Sequence, residues 1–346
     1  MHSSDCTQRA HLEATLLSKA IVPHSLGRLS ELAIRLAMIR PGVLRRPIHL
    51  LFGADHGITE EGVTHSPKAI TAQQCRSFAR GGGACSLFSR LAGVEQWIID
   101  VGIDYDFEKD DGVLDHKVGR GTKNFVKEAA MSSQQCLMAM EVGSRVTQQA
   151  IEKGHDAIIF GEMGVGNTTS ASALSAALLG VDAALVTGKG SGLSDSELEH
   201  KIEVIRAALA LHLDRDPHAL LANLGGFELA AIAGGAIEAA KARLPVIVDG
   251  AVVSSALLAA QRIDERVQTV LVFAHRSAMV GHSLVLQALG CGEPLLDLGM
   301  QLGEGTGALA AWPLVRLASH LLDDLESFEE AGVIDSTRLL QKRGLV

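Results

Sequence analysis

The sequence predicts an α/β protein, a parallel sheet with helices on both faces. Two observations predict it. Short apolar runs stop abruptly at a polar residue, usually beside a glycine, and stretches with three- and four-residue apolar periodicity lie between them. Such alternation of strand and helix buries a parallel sheet between helical layers.

The first run, residues 48–54, ends in Asp55-His56-Gly57. Residues 97–99 precede Asp100, residues 157–160 precede Gly161-Glu162, and residues 246–248 precede Asp249-Gly250. Residues 270–273 lead into Ala274-His275, and 295–296 before Asp297 form a weaker sixth run. Helices are expected at 132–153, 194–213, 227–242 and 278–289. Two more, at 25–39 and 308–325, fall outside the alternation and are expected to pair as a small helical subdomain. Ligands of such sheets bind beyond the carboxyl ends of the strands, so Asp55, Glu162, Asp249 and His275 are expected on one rim; each could equally be a turn or cap residue.

The totals narrow the function. At 346 residues and 47% hydrophobic content the chain can form one large or two ordinary domains. The formal charge of −9 and the absence of a basic cluster argue against nucleic acid. Apolar runs such as 230–240 fall short of the roughly 20 residues that span a bilayer. Residues 1–12 carry Asp5, Arg9 and His11 in place of an apolar signal core, so the expected location is the cytoplasm. Five dispersed cysteines (Cys6, Cys75, Cys85, Cys136 and Cys291) suggest neither a disulfide framework nor a zinc site, and they read as small buried hydrophobes. Glycine is abundant, 36 residues, beside two tryptophans and one tyrosine; this favours close helix packing and tight turns over an aromatic platform.

Two glycine segments can hold an anion. The segment 161–169, Gly-Glu-Met-Gly-Val-Gly-Asn-Thr-Thr, follows a strand and opens an alanine-rich helix, so its glycines let backbone amides and the helix amino terminus face an anion. It matches neither a Walker loop nor the dinucleotide fingerprint, and a plain turn capped by Asn167 is the alternative. Thr187-Gly188-Lys189-Gly190-Ser191-Gly192 is the second segment, and Ser194-x-x-Glu197 beyond it is a capping box. Lys201 in the following helix is either a phosphate partner or a solvated lysine. Both loops with this lysine would suit one phosphate monoester.

Glu304 stands between Gly303 and Gly305 just before an apolar helix. Partial desolvation there would raise its proton affinity toward that of a working base. The alternative is a glutamate that caps its own helix.

These motifs resemble the nicotinate-nucleotide:dimethylbenzimidazole phosphoribosyltransferases of cobalamin nucleotide-loop assembly. The matching segments are Ser25-Leu26-Gly27-Arg28-Leu29, Ala54-Asp55-His56-Gly57, Glu61-Gly62-Val63, Ser66-Pro67-Lys68, Gly121-Thr122, 161–169, Gly225-Gly226-Phe227-Glu228, Asp249-Gly250 and 302–307. The resemblance implies a Rossmann-like sheet domain at 46–304, a small helical domain from 1–45 with 305–346, and a homodimer. It implies Glu304 as general base and Glu162 near the reacting ribose. Ser66, Gln74 and Leu302 would hold the base; Gly164, Gly166, Asn167, Thr168, Gly188, Lys201 and Asp249 would hold phosphate and ribose. Two segments depart from the family's pattern: Ala274-His275-Arg276-Ser277-Ala278-Met279-Val280-Gly281 lacks its first serine and its glutamate, and the entry segment reads Val22-Pro23-His24-Ser25-Leu26-Gly27.

The implied reaction moves ribose 5-phosphate from nicotinate mononucleotide to 5,6-dimethylbenzimidazole with inversion, giving α-ribazole 5'-phosphate and nicotinate. A pyridinium leaving group needs no acid, and a donor without pyrophosphate needs neither a metal nor another cofactor. Two other readings keep the same loops: transfer to adenine, another benzimidazole or a phenol, or a non-catalytic nucleotide-binding protein. An NAD-dependent oxidoreductase would place a Gly-x-Gly-x-x-Gly after the first strand, where Asp55-His56-Gly57 stands.

Overall fold

Six strands form one sheet in a computed structural model that describes residues 3–190, 192–335, 340, 343 and 344. They are β1 (Pro47–Ala54), β2 (Glu95–Gly102), β3 (Val113–Asp115), β4 (Ala157–Met163), β5 (Val246–Val248) and β6 (Leu271–Phe273). Their order is β3-β2-β1-β4-β5-β6, and every pairing is parallel. All eight residues of β1 are buried, so helices cover both faces at the centre of the sheet. From β1 the chain works outward to β3, then returns across β1 to β4. The β1–β4 junction, where Phe52 pairs with Glu162 and Gly53 with Met163, is therefore the topological switch point where a crevice opens.

β5 matches its apolar run and β6 begins one residue late because Val270 ends a short helix, whereas β2 and β4 run longer than the runs that announced them. β2 continues through Asp100 to Gly102, and β4 through Glu162 to Met163. The sixth strand is not at 295–296, where Leu296 makes only an isolated parallel bridge to His275. It is β3, whose Leu114 and Asp115 are exposed at the sheet edge and so leave no apolar run to read.

The helices follow from local chemistry. Ser132 and Gln135 make a reciprocal capping box that starts Ser133–Glu152, and Ser194 with Glu197 does the same for Asp195–Leu211. Helix Ser133–Glu152 packs on Phe227–Lys241 at backbone contact: a Cβ added to Gly143 would lie 1.7 Å from the Ala231 carbonyl oxygen, and one on Gly234 2.0 Å from that of Met140. Glycine is what permits this approach. The expected helix at 278–289 begins only at His282, because Gly281 turns the chain at φ 80°. The helix expected at 25–39 runs Arg28–Ile39, and that expected at 308–325 runs Thr306–His320.

Internal contacts divide the chain into two units, Met1–Arg45 with Trp312–Val346, and Arg46–Ala311. In the first, Arg9 pairs with Glu31 at 2.8 Å to join helices Ser3–Leu17 and Arg28–Ile39, and Lys19 bridges Ser327. The second contains the sheet. Among the described residues no helix is long and apolar enough to cross a membrane. Cys75, Cys85 and Cys136 are buried as expected of small hydrophobes, but Cys6 is exposed and Cys291 half-buried.

Candidate active site

Asp249, just past β5, organises the site. Its Oδ2 accepts the Gly305 amide at 3.1 Å, and its Oδ1 accepts those of Gly307 at 2.8 Å and Ala308 at 3.1 Å. The unsatisfied amides that begin helix Thr306–His320 are thus met by a carboxylate from another strand. Burial pushes the Asp249 carboxyl up, but neighbouring His275 and the amide donors outweigh it and hold the group below its usual value. His275 Nε2 stands 3.6 Å from Asp249 Oδ1.

With the helix start capped by Asp249, Glu304 is released from that task. Gly303, Glu304 and Gly305 all take positive φ, 85°, 60° and 76°, a left-handed backbone that is uncommon for a glutamate. The Glu304 amide donates to Glu162 Oε1 at 3.3 Å. The amide and thiol of Cys85, at the start of helix Gly83–Ala92, lie near enough to its carboxylate to favour the charged form, while Oε2 is buried with no partner. Burial raises the Glu304 carboxyl, the Cys85 donors oppose this, and Asp249 adds to it. The Cys85 thiol is itself pushed up to about 12, first by burial and then by the Glu304 charge, so it stays protonated as a donor.

Glu162 joins this loop to the glycine segment beyond β4. Its Oε2 accepts a short hydrogen bond from Asn167 Nδ2. Burial first, and then the Asp249 charge, push the Glu162 carboxyl well above its usual value. Gly303 is needed here, since an added Cβ would lie 2.4 Å from Glu162 Oε1. Asn167 is not a cap: Gly166, at φ 96°, occupies that position without a side-chain bond, and Asn167 is the first helical residue.

Thr168, next to Asn167, meets a buried lysine. Lys201 is 1% exposed, and its Nζ donates to Thr168 Oγ1 at 3.1 Å and to the Gly188 carbonyl at 3.3 Å. It has no ion-pair partner among the described residues, and burial lowers its pKa to about 8. A buried ammonium bonded only to neutral groups is poised for an anion. Ser191 of the second glycine segment lies outside the described residues.

Gly164 must be glycine because a Cβ there would meet the Ala54 carbonyl oxygen at 2.4 Å. Gln74 is half-buried on helix Ala69–Ala79, which Thr71 ties to the phosphate segment by accepting the Val165 amide at 3.1 Å. Ser66 lies in the loop before that helix and shares no hydrogen bond with either carboxylate. Leu302 stands 57% exposed at the lip, two residues from Glu304. Of the four expected rim residues, Glu162, Asp249 and His275 converge; Asp55 turns its Oδ2 to the Asp104 amide at 2.9 Å.

Known proteins match this arrangement over nearly all of its length. The family model described as Phosphoribosyltransferase matches residues 1–333. The nicotinate-nucleotide–dimethylbenzimidazole phosphoribosyltransferase of Geobacter sp. (strain M21) is 41% identical over 329 residues, 94% of each chain. This chain belongs to that family. A protein of the same name from Vibrio parahaemolyticus serotype O3:K6 is 37% identical over 345 residues, 95% of this chain and 99% of that one. The crystal structure of CobT from Thermus thermophilus aligns with a TM-score of 0.91 at 37% identity, covering 95% of this chain and 99% of that one.

Within this phosphoribosyltransferase some site residues escaped the sequence. His56 and Glu228, both fully buried, pair at 2.8 Å, and His56 Nδ1 lies 2.9 Å from Ser170 Oγ, which ties the turn after β1 to two helices. Both stand in segments that carried the family resemblance, but nothing local says that they meet. Cys85 gave no signal, and His49 gave one: a polar residue inside the apolar run of β1.

Proposed function

We propose that this chain transfers ribose 5-phosphate from nicotinate mononucleotide to 5,6-dimethylbenzimidazole, with inversion at the anomeric carbon, and that Glu304 is the base. The observation that carries the reading is the Glu304 carboxylate itself. It is raised in proton affinity, held on a left-handed peptide, and has one oxygen with no partner. A ring nitrogen of the acceptor attacks the anomeric carbon while Glu304 takes the proton from the other ring nitrogen. Exposed Leu302 offers an apolar surface to the ring, and Ser66 and Gln74 are the polar groups assigned to it.

The donor phosphate is assigned to Lys201 with Thr168, Gly188, Gly164, Gly166 and Asn167. Glu162 is assigned to the ribose. Burial beside Asp249 pushes it toward its neutral acid, and the positive charge of a pyridinium ribose offsets that push. Asp249 acts here through the loop it holds. Residues 46–304 are read as the catalytic domain and the two chain ends as the helical one. The homodimer implied by the resemblance and the cytoplasmic location read from residues 1–12 belong to the same reading.

The test is a product assay with the purified protein, nicotinate mononucleotide and 5,6-dimethylbenzimidazole, with EDTA and Glu304→Gln arms. α-Ribazole 5'-phosphate that forms in EDTA and falls about 10²–10⁴-fold in the variant is the expected result. Nucleotide binding without product, from this base or from a panel of purines, benzimidazoles and phenols, would overturn it.

A further inference from the structure

His49 is fully buried in the middle of β1, in the run Pro-Ile-His-Leu-Leu-Phe-Gly-Ala. Its Nδ1 lies 3.1 Å from Gln96 Nε2 and 3.3 Å from Ser89 Oγ. An amide nitrogen can only donate, so Nδ1 accepts, and the neutral ring carries its proton on Nε2. Burial lowers the ring's pKa to about 4, against the opposing pull of Asp249 and the Glu304 carbonyl, so the ring is neutral near pH 7.

Nε2 points into the loop that bears Glu304. A Cβ added to Gly161 would lie 2.3 Å from His49 Nε2 and 2.9 Å from the Glu304 carbonyl oxygen, and one on Gly305 would lie 2.5 Å from the same nitrogen. Two glycines therefore leave the space that the imidazole occupies. Nε2 is buried with no hydrogen-bond partner, and the Glu304 carbonyl is near enough to raise the ring's proton affinity. Glutamate disfavours a φ of 60°, and such a conformation persists only where its surroundings fix it. Glu162 and Asp249 hold the amides of Glu304 and Gly305; His49 stands on the carbonyl side. Ser89, which contacts the ring, is four residues from Cys85, which contacts the carboxylate, so one face of helix Gly83–Ala92 serves both.

We propose that His49 is a positioning residue for Glu304: its buried Nε2–H, left without a partner beside the Glu304 carbonyl, closes on that carbonyl when the acceptor base binds and thereby aims the carboxylate at it. This rests on reading Glu304 as the general base. His49 touches no reacting atom; its effect runs through the peptide it holds.

Asparagine and glutamine separate the two ring nitrogens. His49→Asn keeps a polar atom near the Nδ1 position but cannot reach the carbonyl, whereas His49→Gln places its amide nitrogen near Nε2. In the full-length protein, His49→Asn is expected to lower kcat about tenfold or more while KM for nicotinate mononucleotide stays within about twofold, and His49→Gln to recover most of the rate. In a Glu304→Gln background His49→Asn should make no further difference, because no base remains to be aimed. Gln96→Leu, which removes the donor that selects the tautomer, should show the same dependence on Glu304 if His49→Asn fails to fold. Wild-type kcat in both His49→Asn and Gln96→Leu, or an equal loss with and without Glu304, overturns the proposal while leaving a collapsed Glu304→Gln to support the base. Wild-type activity in Glu304→Gln removes the base reading itself.

Discussion

Gly307 donates its amide to Asp249 Oδ1 at 2.8 Å across 58 positions of sequence, and the Ala308 amide shares the same oxygen. A carboxylate at the end of β5 therefore caps the helix that Glu304 introduces.

Asp249→Asn keeps one acceptor oxygen and loses the charge, which is expected to destabilise the fold by about 1.5–3 kcal/mol in denaturant titration. The folded-state pKa of Asp249 lies below its usual value of 3.8, so its contribution is in place above that value and is lost as pH falls through the lower one. The wild type should shed this contribution below about pH 4, and the stability of Asp249→Asn should lack that component.

Lys201 predicts how donor binding depends on pH. With a pKa of about 8 it is largely charged at pH 7 and loses its proton as pH rises further. A bound phosphate favours the ammonium, so Kd for nicotinate mononucleotide should rise above pH 8, approaching about tenfold per pH unit, until the pKa of the complex is reached. Calorimetric titration of Lys201→Met should show binding weaker by roughly ten- to a hundredfold at pH 7, with that rise abolished.

Glu304→Gly should separate stability from activity. Glycine relieves the left-handed backbone and removes a buried carboxylate, for a gain of about 1 kcal/mol in thermal or denaturant unfolding. Turnover should fall as far as in Glu304→Gln. A clear loss of stability would show that the carboxylate supports the fold.

Gly143→Ala tests the helix pair. The new methyl would lie 1.7 Å from the Ala231 carbonyl, so the helices must separate, at about 3 kcal/mol or more. A melting temperature close to wild type would contradict the packing described.

The central strands were legible because β1, β4 and β5 are apolar runs that stop at a polar residue and a glycine, a signal contained within a few positions. β3 was not, since three residues at a sheet edge, two of them exposed, carry no such signal. Residues 278–281 have helical composition, yet the turn at Gly281 delays the helix. At the site, Glu304 stood out through its flanking glycines. What separated it from a helix cap was Asp249, and its partnership with the loop is made 56 positions away and leaves no local trace. Lys201 reads the same in sequence whether solvated or buried; only its 1% exposure decides between them.

The long reach of these partnerships also dates the site within folding. Asp249 and Glu162 gather amides 56 and 142 positions further along the chain, so most of the sheet can pair before the loop around Glu304 exists. All six strands and both glycine segments precede residue 304 in the chain, so they are synthesised before the loop that bears it. On the reading of Glu304 as the base, competence for chemistry would arrive late in synthesis, and a chain cut short before that point would lack its proton acceptor.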